Sequence, residues 1–548
     1  MSGMDATQLF SSRTFGNRSY GRVAWSIGAM CVLATGALGQ SLEKRVSNAL
    51  AQARLGTAHV GVSVLDVSTG QQLVNISAGN GSAGFIPASN LKLLTSGAAF
   101  LVLGKDFEFQ TRIIVDGDRL IVVGAGDPGF GEPKLLDAMH LSVDQFVDRL
   151  VDSVKSRGVS GVREVVVDDR VFDRDYVHPD WPKEQLSRAY CAEVSGLNFH
   201  ANLLNVYVTP GATQNSEAGS RSEPSGSWIT ITRLARTVKE GNTEVWLERE
   251  PMSSGGDAFR FKLHGTVKSA LTEPIAVTVD QPGLFFGRAL ADRASRAGLG
   301  VSGKGITARL ATADEALNTD PEKANVVAVV RTPLSVALER CNVDSENLYA
   351  ESFCKLIGHR VTGQPGTWGS GTAVVRMQVK DRLGADAAAS LVLADGSGLS
   401  RNNRITPEVM TRWLKSLSDD PNGQMFIQSL AVAGEEGTLK KRFKGAKLHN
   451  EVRAKSGYIR EVRTLSGYVT NAASGKRIAF SVLCDNLPSG TDGRAKEFHE
   501  QVVEAVDAWL YERCKQLPAA TPTTTPTSPT GVQQANPLKP TEKLRRIR

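Results

Sequence analysis

Three short segments bring together the residue types that open an amide by covalent catalysis. Ser89-Asn90-Leu91-Lys92 places a hydroxyl and an amine three residues apart. Ser345-Glu346-Asn347 adds a second hydroxyl and a carboxamide, and Lys455-Ser456-Gly457 adds a second amine, a third hydroxyl and a glycine. In that order, S-x-x-K, S-x-N and K-[ST]-G carry out serine acyl transfer. A hydroxyl attacks a carbonyl, an acyl-enzyme forms, and water releases it.

The chain has three S-x-x-K matches, and only one sits where a nucleophile is useful. Ser41 to Lys44 follows the N-terminal apolar segment, and Ser352 to Lys355 lies inside an expected helix. Ser89 follows Pro87-Ala88, a turn signal that disfavours helix before that point. It precedes Leu91, Leu93, Leu94, Ala98, Ala99, Leu101, Val102 and Leu103, closed by Gly104. That pattern is a buried helix with a stop signal. A serine at its first turn presents its hydroxyl to the positive end of the helix dipole, and Lys92 projects from the same face.

Lysine acts as a base only when neutral, and its ordinary pKa is about 10.4. Burial and a second cation both lower it, and Lys455 is the obvious second cation. Ser345 is expected to relay a proton between the leaving nitrogen and the lysines, and Asn347 to hold the substrate amide and orient Lys92. The competing expectation for Ser345 and Asn347 is a helix N-cap followed by an exposed polar residue. Val452 to Tyr458 and Val462 to Val469 alternate as a hairpin. Lys455, Ser456 and Gly457 on its edge suit an extended peptide lying alongside, with Gly457 allowing the substrate main chain close.

Beyond the three motifs stand Asp395-Gly396-Ser397-Gly398-Leu399-Ser400-Arg401, Gly126-Asp127-Pro128 and Leu197-Asn198-Phe199-His200-Ala201-Asn202. With 256 residues from Ser89 to Ser345 and 110 from Ser345 to Lys455, the chain resembles the class C low-molecular-mass penicillin-binding proteins, the D-alanyl-D-alanine carboxypeptidase/D,D-endopeptidase family. The resemblance runs from about Gln40 to Cys514. Two departures are small: Ser456 stands where many members have threonine, and His200 where the family often has asparagine.

The resemblance implies an α/β (α+β) fold. Its penicillin-recognising serine transpeptidase/β-lactamase-like domain is an antiparallel sheet flanked by helices, with a large inserted, mostly β region. It implies Ser89 as nucleophile, Lys92 as its base, and Ser345 and Asn347 as proton relay and substrate contacts. Lys455 and Ser456 would anchor the substrate's terminal carboxylate, and the backbone N–H groups of Ser89 and Tyr458 would form the oxyanion hole, with Gly457 between them. The implied substrate is a D-Ala-D-Ala end or D-Ala cross-link of peptidoglycan stem peptides. β-Lactams would acylate Ser89, and no metal, nucleotide or other cofactor is required. Two other readings compete: a β-lactamase or esterase using the same machinery, and a non-catalytic wall-binding protein. Complete motifs argue against the second, since a scaffold need not retain Lys92 and Asn347.

Other chemistries find little support. Gly124-Ala125-Gly126 lacks the third glycine and lysine of a phosphate loop and is expected to be a turn. There is no G-x-S-x-G elbow, and the eight histidines show no zinc-peptidase spacing. The acidic run Asp168-Asp169 and Asp173-Arg174-Asp175 is expected to be a solvated loop. A net charge of +7 over 548 residues is mild, and no basic helix with interleaved aromatics points to nucleic acid. Five cysteines outside the N-terminal apolar segment show no spacing that demands a disulfide.

Around these residues the chain is 41% hydrophobic and 22% charged, enough for two to four packed domains. Residues 1–39 are expected to be a signal peptide. Arg13, Arg18 and Arg22 precede an apolar stretch from Val23 to Leu38, with cleavage before Gln40. An uncleaved anchor is the alternative. Export to the periplasm or cell envelope fits the implied substrate. Residues 40–105 plus 325–515 are expected to form the catalytic unit, and 106–324 an insertion with a nested β unit at about 212–268. Within it, Gly211 to Gly226 is expected to be a loop and Gln281 to Leu299 a helix. The tail, 516–548, is rich in Pro and Thr and ends in Lys539, Lys543, Arg545, Arg546 and Arg548. It is expected to be a solvated segment whose basic end could touch anionic wall polymer or membrane. The sequence gives no indication of oligomeric state.

Overall fold

A computed structural model describes residues 35–79, 84–251, 258–302 and 304–515. The expected leader, apart from its last residues, and the Pro/Thr-rich tail lie outside the described residues.

The chain enters through α1 (Thr35–Ala53), forms the hairpin β1 (His59–Asp66) and β2 (Gln72–Ala78), and turns into α2 (Lys92–Leu103). It then leaves the first sheet. The strands β3 (Glu108–Asp116) and β4 (Arg119–Val123) are followed by α3 (Pro133–Ala138), α4 (Val143–Ser156) and β5 (Glu164–Asp168). Next come β6 (Leu203–Thr209), β7 (Gly219–Glu223), β8 (Ile229–Arg233), β9 (Arg236–Thr237), β10 (Glu244–Arg249), β11 (Phe259–Val267) and β12 (Ile275–Thr278). α5 (Pro282–Arg296), β13 (Thr307–Leu310) and β14 (Asn325–Pro333) close the excursion. α6 (Leu334–Val343) begins directly after β14 and is followed by α7 (Asn347–Thr362), α8 (Trp368–Leu383), α9 (Ala385–Ala389), α10 (Pro407–Ser418) and α11 (Gly423–Gln428). β15 (Ala431–Val432), β16 (Glu451–Ile459), β17 (Val462–Thr470), β18 (Arg477–Asp485) and α12 (Asp492–Lys515) complete the described fold.

The six-stranded sheet has the order β15-β16-β17-β18-β1-β2 and is antiparallel at every pairing. Both ends of the chain therefore build one sheet. β1 and β18 are buried along nearly their whole length, as central strands covered on both faces must be. On one face, Leu42 and Val46 of α1 and Phe498, Val502, Val506 and Trp509 of α12 pack on Val62, Val64, Phe480 and Val482. On the other, Leu93 and Leu94 of α2, Phe353 and Ile357 of α7 and Met410 and Trp413 of α10 share a core with Tyr468, Ala479 and Leu483. α2 is apolar nearly all round because it lies inside this layer rather than on the surface.

The excursion between α2 and α6 has its own core, built on a five-stranded sheet of order β13-β5-β4-β3-β14, with α4 and α5 packed against it. A three-stranded sheet, β12-β6-β7, and a four-stranded one, β10-β11-β8 with β9 also on β11, complete it. The helix expected over Gln281 to Leu299 is α5. The loop expected over Gly211 to Gly226 is not all loop: Gly219 to Glu223 is β7, paired with β6. Its Ser, Arg and Glu side chains carry no apolar alternation, so only pairing with a strand outside that stretch makes it a strand.

Among the described residues, no helix is long and apolar enough to cross a membrane. Cys191, Cys341, Cys354, Cys484 and Cys514 are all free.

Candidate active site

Ser89 sits in a single 3-10 turn, Ala88–Leu91, that runs straight into α2. The residue before it, Ala88, has φ +45°, in the left-handed region. Such a backbone costs about 1–3 kcal/mol unless its surroundings hold it. Here Gly398 does so: a Cβ on Gly398 would lie 1.9 Å from the Ala88 carbonyl oxygen. The D-G-S-G-L-S-R segment is thus pressed against the turn that carries the hydroxyl.

Lys92 is fully buried, and its Nζ has three partners: Ser89 Oγ at 3.0 Å, Asn347 Oδ1 at 2.6 Å and the Ser397 carbonyl at 3.0 Å. Two of these can only accept. The Asn347 oxygen is fixed as acceptor because its Nδ2 donates to the Tyr190 carbonyl at 2.8 Å. A neutral amine has two N–H bonds and one lone pair. In the neutral form, Asn347 and Ser397 would take both N–H bonds and leave the lone pair facing the Ser89 hydroxyl; an ammonium would donate to all three oxygens. Burial pushes the Lys92 pKa down, opposed by the more distant Cys341, Glu351 and Asp395.

Lys455 is also fully buried. Burial lowers it well below an ordinary lysine, and the Lys92 charge lowers it further. The two amines share one site, and two ammonium charges there oppose each other. Lys455 Nζ donates to the Ser456 carbonyl at 2.8 Å, and the Lys455 carbonyl accepts from Asn90 Nδ2 at 2.8 Å. Asn90, the residue after Ser89, also takes a hydrogen bond from Ser466 of β17 at 2.6 Å. Thr464 of the same strand donates to the Pro87 carbonyl at 2.9 Å. The turn that carries Ser89 is therefore fastened to the hairpin on both sides of that residue.

Gly457 also permits a close approach within the chain itself. A Cβ there would lie 2.1 Å from Thr464 Oγ1 and 3.0 Å from the Ser89 nitrogen. The close approach it permits is that of the chain's own turn, which brings β16 beside Ser89. On the open side of β16, β15 pairs only with Arg453 and Ala454. The Val452 carbonyl accepts from Ala433 on that side. By the two-residue alternation of an antiparallel ladder, the Ser456 carbonyl and Tyr458 N–H project from the same edge, beyond the end of β15. Ser456 Oγ meets Thr438 Oγ1 at 2.9 Å, and Tyr458 is exposed.

Ser345 has φ +67° and lines the cleft. It caps no helix, because the N-cap of α7 is Glu346 and Asn347 is the first helical residue. A non-glycine residue held in this conformation beside reactive groups is a strained position of the kind that accompanies function. Ser89, Lys92, Ser345, Asn347, Lys455, Ser456, Gly457 and Tyr458 are thus all brought to one end of α2 and one edge of the sheet.

Several further residues support the three motifs, and of these only Asp395 lies in a segment already marked in the sequence. Glu351, one turn beyond Asn347 on α7, is wholly buried and accepts from Gly396 N (2.8 Å), Ser397 N (2.7 Å) and Trp368 Nε1 (2.8 Å). Burial raises its pKa to about 7, helped by nearby Asp395. Asp395 ties its own loop by accepting from Gly398 N, Ser400 N, Asn403 Nδ2 and Trp181 Nε1. Buried Cys341 faces both lysines, but burial pushes its thiol up to about 12, so it is neutral and not a competing nucleophile. Tyr190 is a further contact, reached through its backbone, that no side-chain pattern announces.

The acidic run expected to be a solvated loop is instead structural. Asp169 is buried and bonded by Arg174 and Tyr176. Asp168 holds Arg170 through two bonds at 2.7 and 2.9 Å, and Asp173 receives the buried Lys355 ammonium at 2.6 Å. Arg170 and Arg174, within the run itself, and Lys355, 182 residues from Asp173, neutralise the cluster; of these only Lys355 is distant in sequence.

The residues surround a cleft of about 730 Å³, lined by Ser89, Ser345, Asn347, Gly398 and Tyr458 on one side and by Asp180, Gln185 and Tyr190 on the other. The antiparallel sheet, the buried helix that follows Ser89 and the three motifs at their junction define the class of penicillin-recognising serine acyl-transfer enzymes. The chain belongs to the D-Ala-D-Ala carboxypeptidase 3 (S13) family, whose model matches residues 42–508. A D-alanyl-D-alanine carboxypeptidase of Actinomadura sp. is 30% identical over 475 residues, covering 82% of each chain. The D-alanyl-D-alanine carboxypeptidase DacB of Haemophilus influenzae is 23% identical over 425 residues, 75% of this chain and 82% of that one. The crystal structure of penicillin binding protein 4 (dacB) from Haemophilus influenzae aligns with a TM-score of 0.65 at 20% identity, covering 86% of this chain and 99% of the other. The protein is a serine-type D-Ala-D-Ala carboxypeptidase, and the resemblance read from its motifs holds across most of the chain.

Proposed function

We propose that Ser89 is the nucleophile of a D-Ala-D-Ala carboxypeptidase and D,D-endopeptidase acting on peptidoglycan stem peptides and their cross-links. The observation that carries this reading is the threefold coordination of buried Lys92, whose Nζ lies 3.0 Å from Ser89 Oγ with two fixed acceptors on its other sides, so that the neutral amine would aim its lone pair at the Ser89 proton. Ser89 Oγ attacks the carbonyl carbon of the penultimate D-Ala while Lys92 takes the hydroxyl proton. The carbonyl oxygen becomes an oxyanion facing the N–H groups of Ser89 and Tyr458, each such donor being worth roughly 3–4 kcal/mol in acyl transfer. The tetrahedral adduct collapses, the C–N bond breaks, and the proton passes to the leaving nitrogen through Ser345 and the two lysines. Lys455 and Ser456 hold the terminal carboxylate, or the equivalent chain in a cross-link. Water then attacks the ester with Lys92 again as base, freeing the acid and Ser89. Solved relatives of this fold are named as complexes with β-lactams, and β-lactams are read here as acylating the same hydroxyl.

The proposal includes location and organisation. The Arg-rich, then apolar, residues 1–39 are read as an export signal cleaved before Gln40, which would place the enzyme in the cell envelope with its substrate. N-terminal sequencing of the secreted protein should begin at Gln40. Residues 40–105 plus 325–515 are read as the catalytic unit and 106–324 as an inserted one, supported by the separate core around β3–β5, α4 and α5.

The test of the site is mass spectrometry after incubation with benzylpenicillin. A covalent adduct is expected on the peptide containing Ser89 and is expected to be absent in Ser89→Ala. An adduct on another residue, or none, would overturn the assignment. Rapid turnover of the penicillin would favour a β-lactamase instead.

A further inference from the structure

We propose that the exposed face of the β8–β10–β11 sheet is a glycan-binding platform centred on Trp246, which holds the sugar strand of peptidoglycan while its peptides enter the cleft. This rests on the peptidoglycan reading above. Along β10, Val245 and Leu247 turn toward the core while Glu244, Trp246 and Glu248 face outward. Across the ladder, Trp246 is paired with His264 and Glu248 with Lys262. Trp246 is 56% exposed, unusually open for the largest apolar side chain. Its indole lies parallel to the His264 imidazole, at 5.3 Å between centroids and 4° between planes. β10 is an edge strand of this sheet. The indole is thus stacked on His264 while more than half of its surface stays open to solvent.

The rings are held in place. His264 Nε2 and Glu248 Oε2 are 2.8 Å apart, which requires the ring nitrogen to carry the proton, since an ionised carboxylate only accepts. Lys262 lies between Glu248 (3.9 Å) and Glu250 (2.7 Å). A flat, preorganised aromatic surface thus stands within a rim of carboxylates, an ammonium and an imidazole.

The chemistry of that surface selects its occupant. Glu244, Glu248 and Glu250 outnumber the outward cations of β11, Arg260 and Lys262, and Lys262 is already paired with two of them, so this face carries no positive excess to attract a nucleic acid or an anionic bilayer. One aromatic island within a polar face lacks the apolar core of a stable protein interface. A pyranose ring matches it. Its C–H face, carrying slight positive charge, fits the negative face of the indole, and its hydroxyl and acetamido groups are both donors and acceptors for the charged rim.

The platform is also coupled to the cleft. At the end of β10, Arg249 bonds Glu193 at 3.2 Å and Asp280 at 3.0 Å. Glu193 lies three residues beyond Tyr190, the cleft residue that receives the Asn347 hydrogen bond. Arg249 shares the core-facing side of β10 with Val245 and Leu247, so this link from the platform to the cleft wall runs through the fold beneath the sheet.

The test is co-sedimentation of the full-length protein with insoluble glycan strands stripped of their peptides, with cellulose as a polysaccharide lacking acetamido groups. Wild type is expected to bind the stripped strands and not cellulose. Trp246→Ala should weaken binding about ten-fold, equivalent to 1.4 kcal/mol, while Trp246→Phe, which keeps a ring, stays within about three-fold of wild type. Acylation by benzylpenicillin should be unchanged in both variants. Equal binding by Trp246→Ala, or no binding by wild type, would overturn the platform. So would an effect of the substitution confined to self-association in sedimentation velocity, which would make a second copy the occupant. Loss of penicillin acylation in wild type with glycan binding intact would instead overturn the reading of the cleft and leave the platform standing.

Discussion

In the proposed mechanism Lys92 is the base for Ser89, and Glu351 is the residue that sets one of its three partners without touching it. Glu351 grips the Gly396 and Ser397 N–H groups, which sets the Ser397 carbonyl against Lys92 Nζ. Glutamine has a single acceptor oxygen and turns an NH2 toward one of those N–H groups. Glu351→Gln should therefore release one bond, loosen the Ser397 carbonyl and slow acylation about 10- to 100-fold. Above about pH 7, where Glu351 is ionised, it also removes a negative charge that favours protonated Lys92. Lys92 already titrates below an ordinary lysine, so the rate of acylation should rise with pH through its pKa, and in Glu351→Gln that rise should move to lower pH. Acylation rates by a fluorescent penicillin from pH 5 to 9 measure both effects. A lowered melting temperature with an unmoved pH limb would mean that Glu351 only supports the fold. The sequence shows Ser89, Lys92, Asn347 and Lys455 because catalysis demands those groups at fixed short spacings. It does not show Glu351 or Tyr190 as site residues, because each acts through main-chain groups that only the tertiary fold brings near.

At the scale of elements, the site is a junction: the turn before α2 is pinned to β16 and β17, and the β16 edge is left open because β15 is only two residues long. Gly457 is the hinge point of that junction. Gly457→Ala places a methyl group 2.1 Å from Thr464 Oγ1 and 3.0 Å from the Ser89 nitrogen, so the turn and the strand must separate. Overpacking of this kind costs about 1–3 kcal/mol, and acylation should fall at least 100-fold as Ser89 leaves the edge. Thr464→Ala in the same chain removes the closest clash while giving up the bond to the Pro87 carbonyl. The double variant should therefore recover part of the stability lost in Gly457→Ala, a coupling measured by a double-mutant cycle of thermal unfolding. Strict additivity of the two changes would show that the contact does not set the position of the turn. The hairpin and the nucleophile helix are legible in sequence because apolar periodicity and stop signals mark them. β7 is not, because a Ser-, Arg- and Glu-bearing strand owes its state to β6, its partner across the ladder.

At the scale of the whole molecule, the long excursion between the first two motifs supplies one wall of the cleft, and a few contacts fix that wall to the helix bearing Asn347. The Asn347 carboxamide bonds the Tyr190 carbonyl, Asn198 reaches Ser352, and Asp173 receives Lys355. All three anchor points on the catalytic side lie along α7. The spacing of the motifs reveals that a large excursion exists, but these contacts join positions more than 150 residues apart and leave no periodic trace. Lys355 is the strongest of them: fully buried, bonded also to the Asp175 carbonyl at 2.7 Å and lying 3.8 Å above the Trp368 ring. Asp173→Asn leaves that ammonium buried without its counter-charge. Stranding one partner of a fully buried pair costs about 3–5 kcal/mol. Asp173 is 22% exposed, so a loss nearer 2 kcal/mol is expected, seen as a melting temperature lower by several degrees at pH 7. Burial already depresses the Lys355 pKa below that of the unfolded chain, and without Asp173 it falls further. The folded state then gives up its proton more readily than the unfolded one, so the loss should shrink as the pH rises toward 10. With the wall loosened, KM for a stem peptide should rise more than kcat falls, because Asn347 and Tyr190 position the substrate while Lys92 keeps its partner in Ser397. A deficit that persists unchanged at pH 10 would show that Asp173 serves the fold through something other than the charge of Lys355.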